Sequence, residues 1–118
     1  MPAVLFFESE VKMKIKEVTD EHILFDNGNI ITYYHTPDCC EHNYADFTWL
    51  TPNVCGYYHN FDENLQFEKI DNAGFIFKDD KIRIFIPCYS DQNGYYSDDV
   101  DIQYNGVDVL NVICVERD

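Results

Sequence analysis

Lysine and arginine are scarce in this sequence, which has eight of them against 22 aspartates and glutamates, for a formal net charge of −14. Residues 17–68 and residues 84–116 contain neither cation. Because cationic side chains provide most of the affinity for nucleic acids and anionic lipids, this deficit argues against both kinds of partner. The same charge would attract a basic protein surface, or would serve only to keep the protein in solution.

Long hydrophobic runs are also absent. The longest apolar stretches, residues 3–7 and 112–115, are several-fold shorter than the ~20 residues that a membrane-spanning helix needs. The N-terminal residues lack the basic segment and the longer apolar segment of a signal peptide. The sequence therefore predicts a cytoplasmic protein without a membrane-spanning helix.

Paired cysteine spacing is missing as well. The five cysteines are an odd number and follow no export signal, so we expect reduced thiols and no disulfide framework. Three of them lie among apolar or aromatic neighbours and are expected in the core: Cys55, Cys88 and Cys114. A glycine-rich phosphate loop is absent too, which argues against nucleotide-handling enzymes.

Apolar and aromatic residues, by contrast, are plentiful. They make up 46% and 16% of the sequence, which is too much burial potential for a disordered chain. A chain of 118 residues is long enough for one hydrophobic core. Since no linker, repeat or low-complexity tract divides it, we predict a single domain over residues 1–118.

Apolar and polar residues alternate with a period of two in several segments, as in half-buried β-strands. In residues 11–16, apolar residues alternate with three lysines. Residues 36–64 are predicted to form a long loop with one helical turn near residues 44–50. Further strands are predicted at residues 22–26, 29–35, 65–70, 75–78, 81–87, 100–104 and 107–115. The last of these, residues 107–115, is expected to be largely buried.

Three short links are predicted to be hairpin turns. Asn27-Gly28 and Asn105-Gly106 are typical of two-residue type I′ turns, in which both residues need a positive φ. Asp79-Asp80 is predicted to join a third pair of strands. The predicted fold class is therefore mainly β, or α+β with little helix: an antiparallel sandwich or a partly open barrel built from hairpins.

The densest group of titrating side chains is the segment His-Thr-Pro-Asp-Cys-Cys-Glu-His at residues 35–42. Zinc prefers thiolate and imidazole ligands, but structural zinc sites usually show paired cysteines or histidines, so a distant fourth ligand such as His59 or Cys88 would be needed. The alternative is a polar loop with one buried cysteine. The candidate metal ligands are His35, Asp38, Cys39, Cys40 and His42.

A nucleophilic cysteine in the same segment is a third interpretation, with Cys39 or Cys40 activated by a neighbouring histidine. A thiolate is stabilised by positive surroundings. Here the nearest cations in the sequence are Lys16 and Lys69, and the adjacent carboxylates disfavour a thiolate. The sequence therefore favours a protein that is not an enzyme of this kind.

A second constellation, Asp-Gln-Asn-Gly-Tyr-Tyr-Ser-Asp-Asp-Val-Asp, occupies residues 91–101. Its oxygens are possible calcium ligands, but the glycine and glutamate positions of an EF-hand are not matched. The alternative is an Asn-Gly turn with a solvated acidic rim and two tyrosines packed on the sheet. If exposed together, five of its residues would form an interaction surface: Tyr95, Tyr96, Asp98, Asp99 and Asp101.

These two segments resemble an uncharacterised family of small proteins from bacteria and their phages. That family is similar in a Tyr-x-His stretch, here Tyr33 to His35, which leads into Asp-Cys-Cys-Glu-His at residues 38–42 and then Tyr44. An Asn-Gly-Tyr-Tyr-Ser segment followed by Val-Asp corresponds to residues 93–101. The resemblance covers roughly residues 11–101. It implies a phage or mobile-element origin and no particular activity.

Together these patterns predict a non-enzymatic interaction protein that binds a basic protein surface and contacts neither nucleic acid nor membrane directly. It could act as an inhibitor that presents carboxylates where a nucleic acid presents phosphates. The alternative is a zinc-binding module, or a small metal-dependent enzyme, centred on His35, Cys39, Cys40 and His42. A third hypothesis is a structural subunit that assembles through an exposed strand edge. No cofactor other than zinc is predicted, and the oligomeric state is left open.

Overall fold

The computed structural model describes residues 12–35, 42–54, 56–91 and 99–117. Within these residues the chain forms strands and one turn of 3-10 helix, Phe47–Trp49, and no helix in them is long and apolar enough to cross a membrane. The strands are β1 (Lys12–Met13), β2 (Ile15–Val18), β3 (His22–Phe25), β4 (Ile30–Tyr34), β5 (His42–Ala45), β6 (Phe61–Asp62), β7 (Gln66–Ile70), β8 (Gly74–Lys78), β9 (Arg83–Asp91), β10 (Asp99–Tyr104), β11 (Val107–Ile113) and β12 (Val115–Arg117).

The first of two large sheets, sheet one, has the strand order β11-β10-β4-β3-β2, and all of its pairings are antiparallel. Apolar residues at alternate positions give each strand one buried face. Ile23 and Ile31 are directly paired on that face, Ile102 lies on the next strand, and all three are fully buried. The period-two pattern of the sequence therefore orients this sheet.

The second, sheet two, has the order β12-β9-β8-β7, and β5 also pairs with β9. β9 connects it, because β8 pairs with its first half while β5 and β12 pair with its second half. Phe25 of sheet one contacts Phe61 and Phe77 in the core, with ring centroids 5.6 to 6.4 Å apart within this trio. The described sheets do not close into a barrel, so the mainly-β prediction is confirmed as a sandwich.

Of the predicted hairpin turns, Asn105-Gly106 is type I′ as expected, with φ angles of 54° and 82°. The prediction for Asn27-Gly28 is wrong, because only Gly28 has a positive φ there. Gly28 N donates to the Phe25 carbonyl oxygen, as in a loop of three residues that ends on a left-handed glycine. Asp26 N also donates to the carbonyl oxygen of Lys14, which lies between β1 and β2, so this longer turn contacts the β1–β2 connection.

The third hairpin and the middle of the chain also differ from the sequence prediction. Four residues, 79–82, separate β8 from β9, instead of the predicted Asp79-Asp80 pair. The expected helical turn is present at Phe47–Trp49, but β5 and β6 lie in the region predicted to be a loop. The apolar pattern of the sequence did not predict β5, because polar Asn43 occupies one of its buried positions.

The end of the chain corrects another prediction. Residues 107–115 are two strands, since β11 ends at Ile113 in sheet one and β12 pairs with β9 in sheet two. The β12–β9 pairing is parallel, unlike the other pairings of the described chain. Within the described residues β11 is an edge strand that pairs with β10 alone. Six of its seven residues are exposed or only half-buried, and Val107 is 64% exposed, so most of β11 is not buried.

Candidate functional site

The two segments singled out in the sequence begin and end at one end of the sandwich, here called the motif end. β4 precedes the first segment and β5 follows it, while β9 precedes the second and β10 follows it. His42 pairs with Asp91, and Tyr34 pairs with Asp101. The opposite end, the hairpin end, holds the turns at residues 26–29, 79–82 and 105–106.

Asn43 on β5 connects the strands of the motif end through its side chain. It is 3% exposed and lies opposite the fully buried Ser90 of β9. Asn43 Nδ2 donates to the carbonyl oxygen of Asp99 at 3.0 Å and lies 3.4 Å from Nε2 of His35. Ser90 Oγ donates to Asn43 Oδ1 at 2.5 Å. A buried amide satisfied by both sheets holds together the residues that flank the two segments.

An acidic patch, formed by Tyr34, Asp99, Asp101 and Asn111, lies on sheet one at the motif end. Asp101 is the pairing partner of both Tyr34 and Asn111, and paired residues point to the same face of a sheet. Asn111 Nδ2 donates to Asp99 Oδ2 at 2.7 Å and to Asp101 Oδ1 at 2.9 Å. One neutral amide thus holds two carboxylates side by side, next to a tyrosine that is 50% exposed.

A cleft of about 160 Å³ opens on the other face of β4. Successive side chains of a strand point to opposite faces, so Tyr33 lines this cleft while Tyr34 belongs to the patch. Tyr33 packs against Phe47 with ring centroids 5.8 Å apart, and Tyr44 packs against Tyr89 at 5.9 Å. The cleft is lined by Asp20, Tyr33, Tyr44, Ala45 and Asp46.

The electrostatic field in this cleft is negative. Burial raises the pKa of the Tyr33 hydroxyl, and the nearby charges of Glu21 and Asp20 raise it further. Asp46 accepts a hydrogen bond from the Thr48 hydroxyl at 2.5 Å. Neither Asp20 nor Asp46 forms an ion pair with a residue in the described part of the chain. The cleft therefore combines carboxylates with aromatic walls and has no cation from the described chain.

The hairpin end shows the opposite arrangement. The Asp79 side chain is 5% exposed and accepts hydrogen bonds from His59 Nε2 at 3.0 Å and from the backbone N–H groups of Lys81, Ile82 and Asp62. Burial alone would raise the pKa of Asp79, but these hydrogen bonds outweigh it and the pKa is lowered. His59, suggested by the sequence as a distant zinc ligand, is here the partner of a structural carboxylate.

Cys88 and Cys114 are fully buried free thiols, as expected for core residues. A hydrogen bond to Cys114, together with burial, raises the pKa of the Cys88 thiol. Burial therefore favours the neutral form of the Cys88 thiol, which lies in the core of the sandwich. The third expected core cysteine, Cys55, lies outside the described residues.

The candidate zinc ligands are only partly within the described chain. His35 follows β4, and His42 begins β5. No group of three or more His, Cys, Asp or Glu residues that could hold a metal ion occurs among the described residues. The zinc site stays a prediction, because three of its ligands lie outside them: Asp38, Cys39 and Cys40.

The predicted interaction surface is likewise divided. Asp99 and Asp101 lie in β10 and belong to the acidic patch, whereas Tyr95, Tyr96 and Asp98 lie outside the described residues. The sequence pattern did not identify the cleft or the role of Asn43. Of the residues that line the cleft, the sequence drew attention to the tyrosines near the first segment. Asp20 belongs to the turn between β2 and β3, and only the tertiary structure places it beside these tyrosines.

Comparison with known proteins identifies a family. Searches of the curated proteins and of the solved structures found no match to this chain. The sequence profile of one family, described as a domain of unknown function (DUF7448), matches residues 5–102, which include both segments and all the residues that line the cleft. The predicted resemblance to an uncharacterised family is therefore confirmed, whereas the bacterial or phage origin stays a prediction. With this match over more than half of its length, the chain belongs to the DUF7448 family, a domain of unknown function.

Proposed function

We propose that this protein is a non-enzymatic interaction module that binds a basic protein surface through its motif end. One observation supports the proposal: the two stretches without lysine or arginine, residues 17–68 and 84–116, pair with each other through β4–β10 and β5–β9, and both of these pairings reach the motif end. Each of the pairings His42–Asp91 and Tyr34–Asp101 joins a residue of one stretch to a residue of the other. Residues that are far apart in the two cation-free stretches are therefore brought together in adjoining strands.

Six of the eight cations of the described chain lie in the β1–β2 segment or at the hairpin end. Lys69 and Arg117 lie nearer the motif end, and Lys69 pairs with Asp71, whose carboxylate accepts a hydrogen bond from the N–H of Ile113, the pairing partner of Asp99. Seven of the eight fall within residues 12–16 and 69–83, and the eighth, Arg117, pairs through its backbone with Asp91. Carboxylates without nearby cations produce a field that steers a positively charged partner and favours its correct orientation. Among the cations within residues 69–83, three form ion pairs in the described chain: Lys69–Asp71, Lys78–Glu68 and Arg83–Glu68.

A protein that normally binds nucleic acid has a basic surface of the kind this end would attract. The form of the function that we favour is an inhibitor whose carboxylates occupy the places of nucleic-acid phosphates. The acidic patch supplies two carboxylates held side by side by Asn111. Direct binding of nucleic acid by this chain is not part of the proposal, because like charges repel.

A peptide rich in lysine and arginine is the probe for this function, titrated at about 0.01 M and about 0.15 M salt, where the Debye length is ~30 Å and ~8 Å. We compare the variant Asp99→Asn/Asp101→Asn with the matched variant Asp80→Asn/Asp108→Asn, which removes the same charge from exposed positions at the hairpin end. We expect binding to weaken with salt and to weaken more in the first variant. Salt-independent binding, or equal effects of both variants, would contradict the proposal.

A zinc-binding module is the second candidate function. It is favoured by the position of His35 and His42, which flank Cys39 and Cys40 in the sequence and lie at the same end of the fold. Metal content by mass spectrometry, on protein purified without chelator or affinity tag, tests it. One equivalent of zinc that is lost in the Cys39→Ser/Cys40→Ser variant would support this function. A metal-free protein with five titratable thiols would contradict it.

A further inference from the structure

We propose that the cleft formed by Asp20, Tyr33, Tyr44 and Asp46 binds the guanidinium group of one arginine side chain of the partner. This inference rests on the proposed function, because it assigns to the motif end the contact that makes recognition specific. The acidic patch and the long-range field attract any cationic surface. A cleft with defined walls selects one side chain from that surface.

The volume of the cleft limits its ligand to the end of a side chain. Sites for cofactors and drug-sized ligands usually enclose about 300–1,000 Å³. The cleft has about 160 Å³, roughly the space of five water molecules at ~30 Å³ each. A guanidinium group with its adjoining methylene groups is of this size. A nucleotide is too large to fit inside it.

The chemistry of the walls selects a planar cation. Asp20 and Asp46 would repel a phosphate or carboxylate ligand, and an apolar ligand would remove water from these carboxylates without replacing its hydrogen bonds. Guanidinium donates hydrogen bonds to carboxylates along its edge and packs its faces on aromatic rings. Lysine has the charge but neither the flat face nor the fork of donors.

The walls of the cleft are held in position before any partner arrives. Phe47 supports the ring of Tyr33, and Tyr89 supports the ring of Tyr44. The backbone N–H of Asp46 donates to the Pro87 carbonyl oxygen at 2.8 Å, which ties the carboxylate-bearing residue to β9. Binding to preformed walls loses less conformational entropy than binding that must first order them.

The test uses the full chain and three capped tripeptides: Gly-Arg-Gly, Gly-Lys-Gly and Gly-citrulline-Gly. Citrulline keeps the shape of arginine without its charge. Titrations followed by nuclear magnetic resonance are expected to show that the arginine peptide shifts the signals of Tyr33, Tyr44 and Asp46. We expect a smaller effect of the lysine peptide and none of the citrulline peptide.

Matched variants locate the binding site. Asp20→Asn/Asp46→Asn should weaken arginine-peptide binding by about 10-fold or more, equivalent to ~1.4 kcal/mol, whereas Asp80→Asn/Asp108→Asn should leave it within about 2-fold. Tyr44→Phe keeps the ring and should retain binding, while Tyr44→Leu should reduce it. The unliganded spectrum of each variant shows whether it is folded.

Three results would overturn the inference: equal shifts from the citrulline peptide, shifts confined to residues outside the cleft, or unchanged affinity in Asp20→Asn/Asp46→Asn. Failure of this inference is distinguishable from failure of the proposed function. If the basic peptide still binds in a salt-dependent way and Asp99→Asn/Asp101→Asn weakens it, only the assignment of the cleft fails. If neither the basic peptide nor the arginine peptide binds, the proposed function fails as well.

Discussion

The hairpin end and the motif end of the sandwich differ in how their polar groups are satisfied. At the hairpin end, Asp79 accepts hydrogen bonds from its own chain, and the Tyr104 hydroxyl donates to the Glu63 carbonyl oxygen at 2.7 Å. At the motif end, the carboxylates of Asp20 and Asp46 have no cationic partner in the described chain. This difference agrees with the proposed function, in which carboxylates of the motif end contact a basic partner.

Replacing Asp79 at the hairpin end is expected to have the largest effect. Asp79→Ala leaves His59 Nε2 and the backbone N–H groups of Lys81 and Ile82 without their acceptor. Hydrogen bonds to a charged group contribute ~1.5–3 kcal/mol each, and water replaces part of this at exposed and part-buried donors. We therefore expect the free energy of unfolding in urea to fall by about 3 kcal/mol for the set. Asp80→Ala, at an exposed neighbour, is the control and should change it by less than about 0.5 kcal/mol. Equal losses in both variants would remove the distinction between the two ends.

The same carboxylate predicts a response to acid. The pKa of Asp79 is lower in the folded protein than its ordinary value of ~3.9. Its contribution to stability is therefore fully present above about pH 4 and is lost as the pH falls through the folded-state pKa. Asp79→Asn should show a smaller decrease in the free energy of unfolding below pH ~4 than the unmodified protein. Parallel pH profiles of the two proteins would contradict this prediction.

Removing the Asn43 side chain tests the rigidity of the motif end, with a smaller expected loss. Asn43→Ala removes the hydrogen bonds that Asn43 makes with the buried Ser90 hydroxyl and with the Asp99 carbonyl oxygen, so we expect a loss of about 2 kcal/mol in unfolding free energy. Amide hydrogen exchange should become faster at the start of β10 and at the end of β9, and stay unchanged at the hairpin end. Uniform acceleration over the whole chain would show that Asn43 stabilises the fold generally.

The two Asn-Gly turns of the hairpin end make a finer test. Asn105 has a φ of 54°, which asparagine tolerates better than most residues, whereas Asn27 has no positive φ. Asn105→Ala should therefore lower the free energy of unfolding by about 1.5 kcal/mol, because the left-handed conformation is strained with an alanine side chain and because the hydrogen bond from Ile30 N to Asn105 Oδ1 is lost. Asn27→Ala removes only the hydrogen bond from Asn29 N to Asn27 Oδ1 and should cost about half as much. A larger loss in Asn27→Ala would contradict the difference between the turns.

Tyr104 predicts an effect that appears only at high pH. Burial raises its pKa to about 12, and the charges of Glu63 and Asp62 add to this while the hydrogen bond from Asn29 opposes it. Since the ordinary value is ~10, the contribution of the neutral hydroxyl is fully present below pH ~10 and is lost as the pH rises through the folded-state value. Tyr104→Phe should show less alkaline destabilisation. An absorbance titration in which every tyrosine ionises near pH 10 would contradict this prediction.

Much of the fold could be predicted from the sequence because strands leave a local signature. Met13 and Ile15 are buried and Lys12 and Lys14 are exposed, as their alternation indicates. β12 could not be predicted, because a strand of three residues shows no clear pattern and its parallel pairing with β9 joins distant parts of the chain. The exposure of Val107 and Val109 in β11 could not be predicted either, because the burial of a strand depends on which other elements pack against it.

The candidate site was predictable only in outline. The sequence indicated both segments and the acidic residues Asp99 and Asp101, because unusual composition is visible without coordinates. It did not indicate the cleft, whose residues come from the turn after β2, from β4 and from the end of β5. Residues from separate elements form a cleft only when the pairing of the strands is known.

The sequence by itself determined the charge balance, the alternation of the strands and the type I′ turn at Asn105-Gly106, because each depends on residue identity or on neighbours along the chain. Only the tertiary structure decided that strands of the two cation-free stretches pair with each other and that Asn43 reaches Asp99. These contacts join residues that are far apart in the sequence, and they form because two sheets with buried apolar faces pack together and bring the ends of their strands into contact.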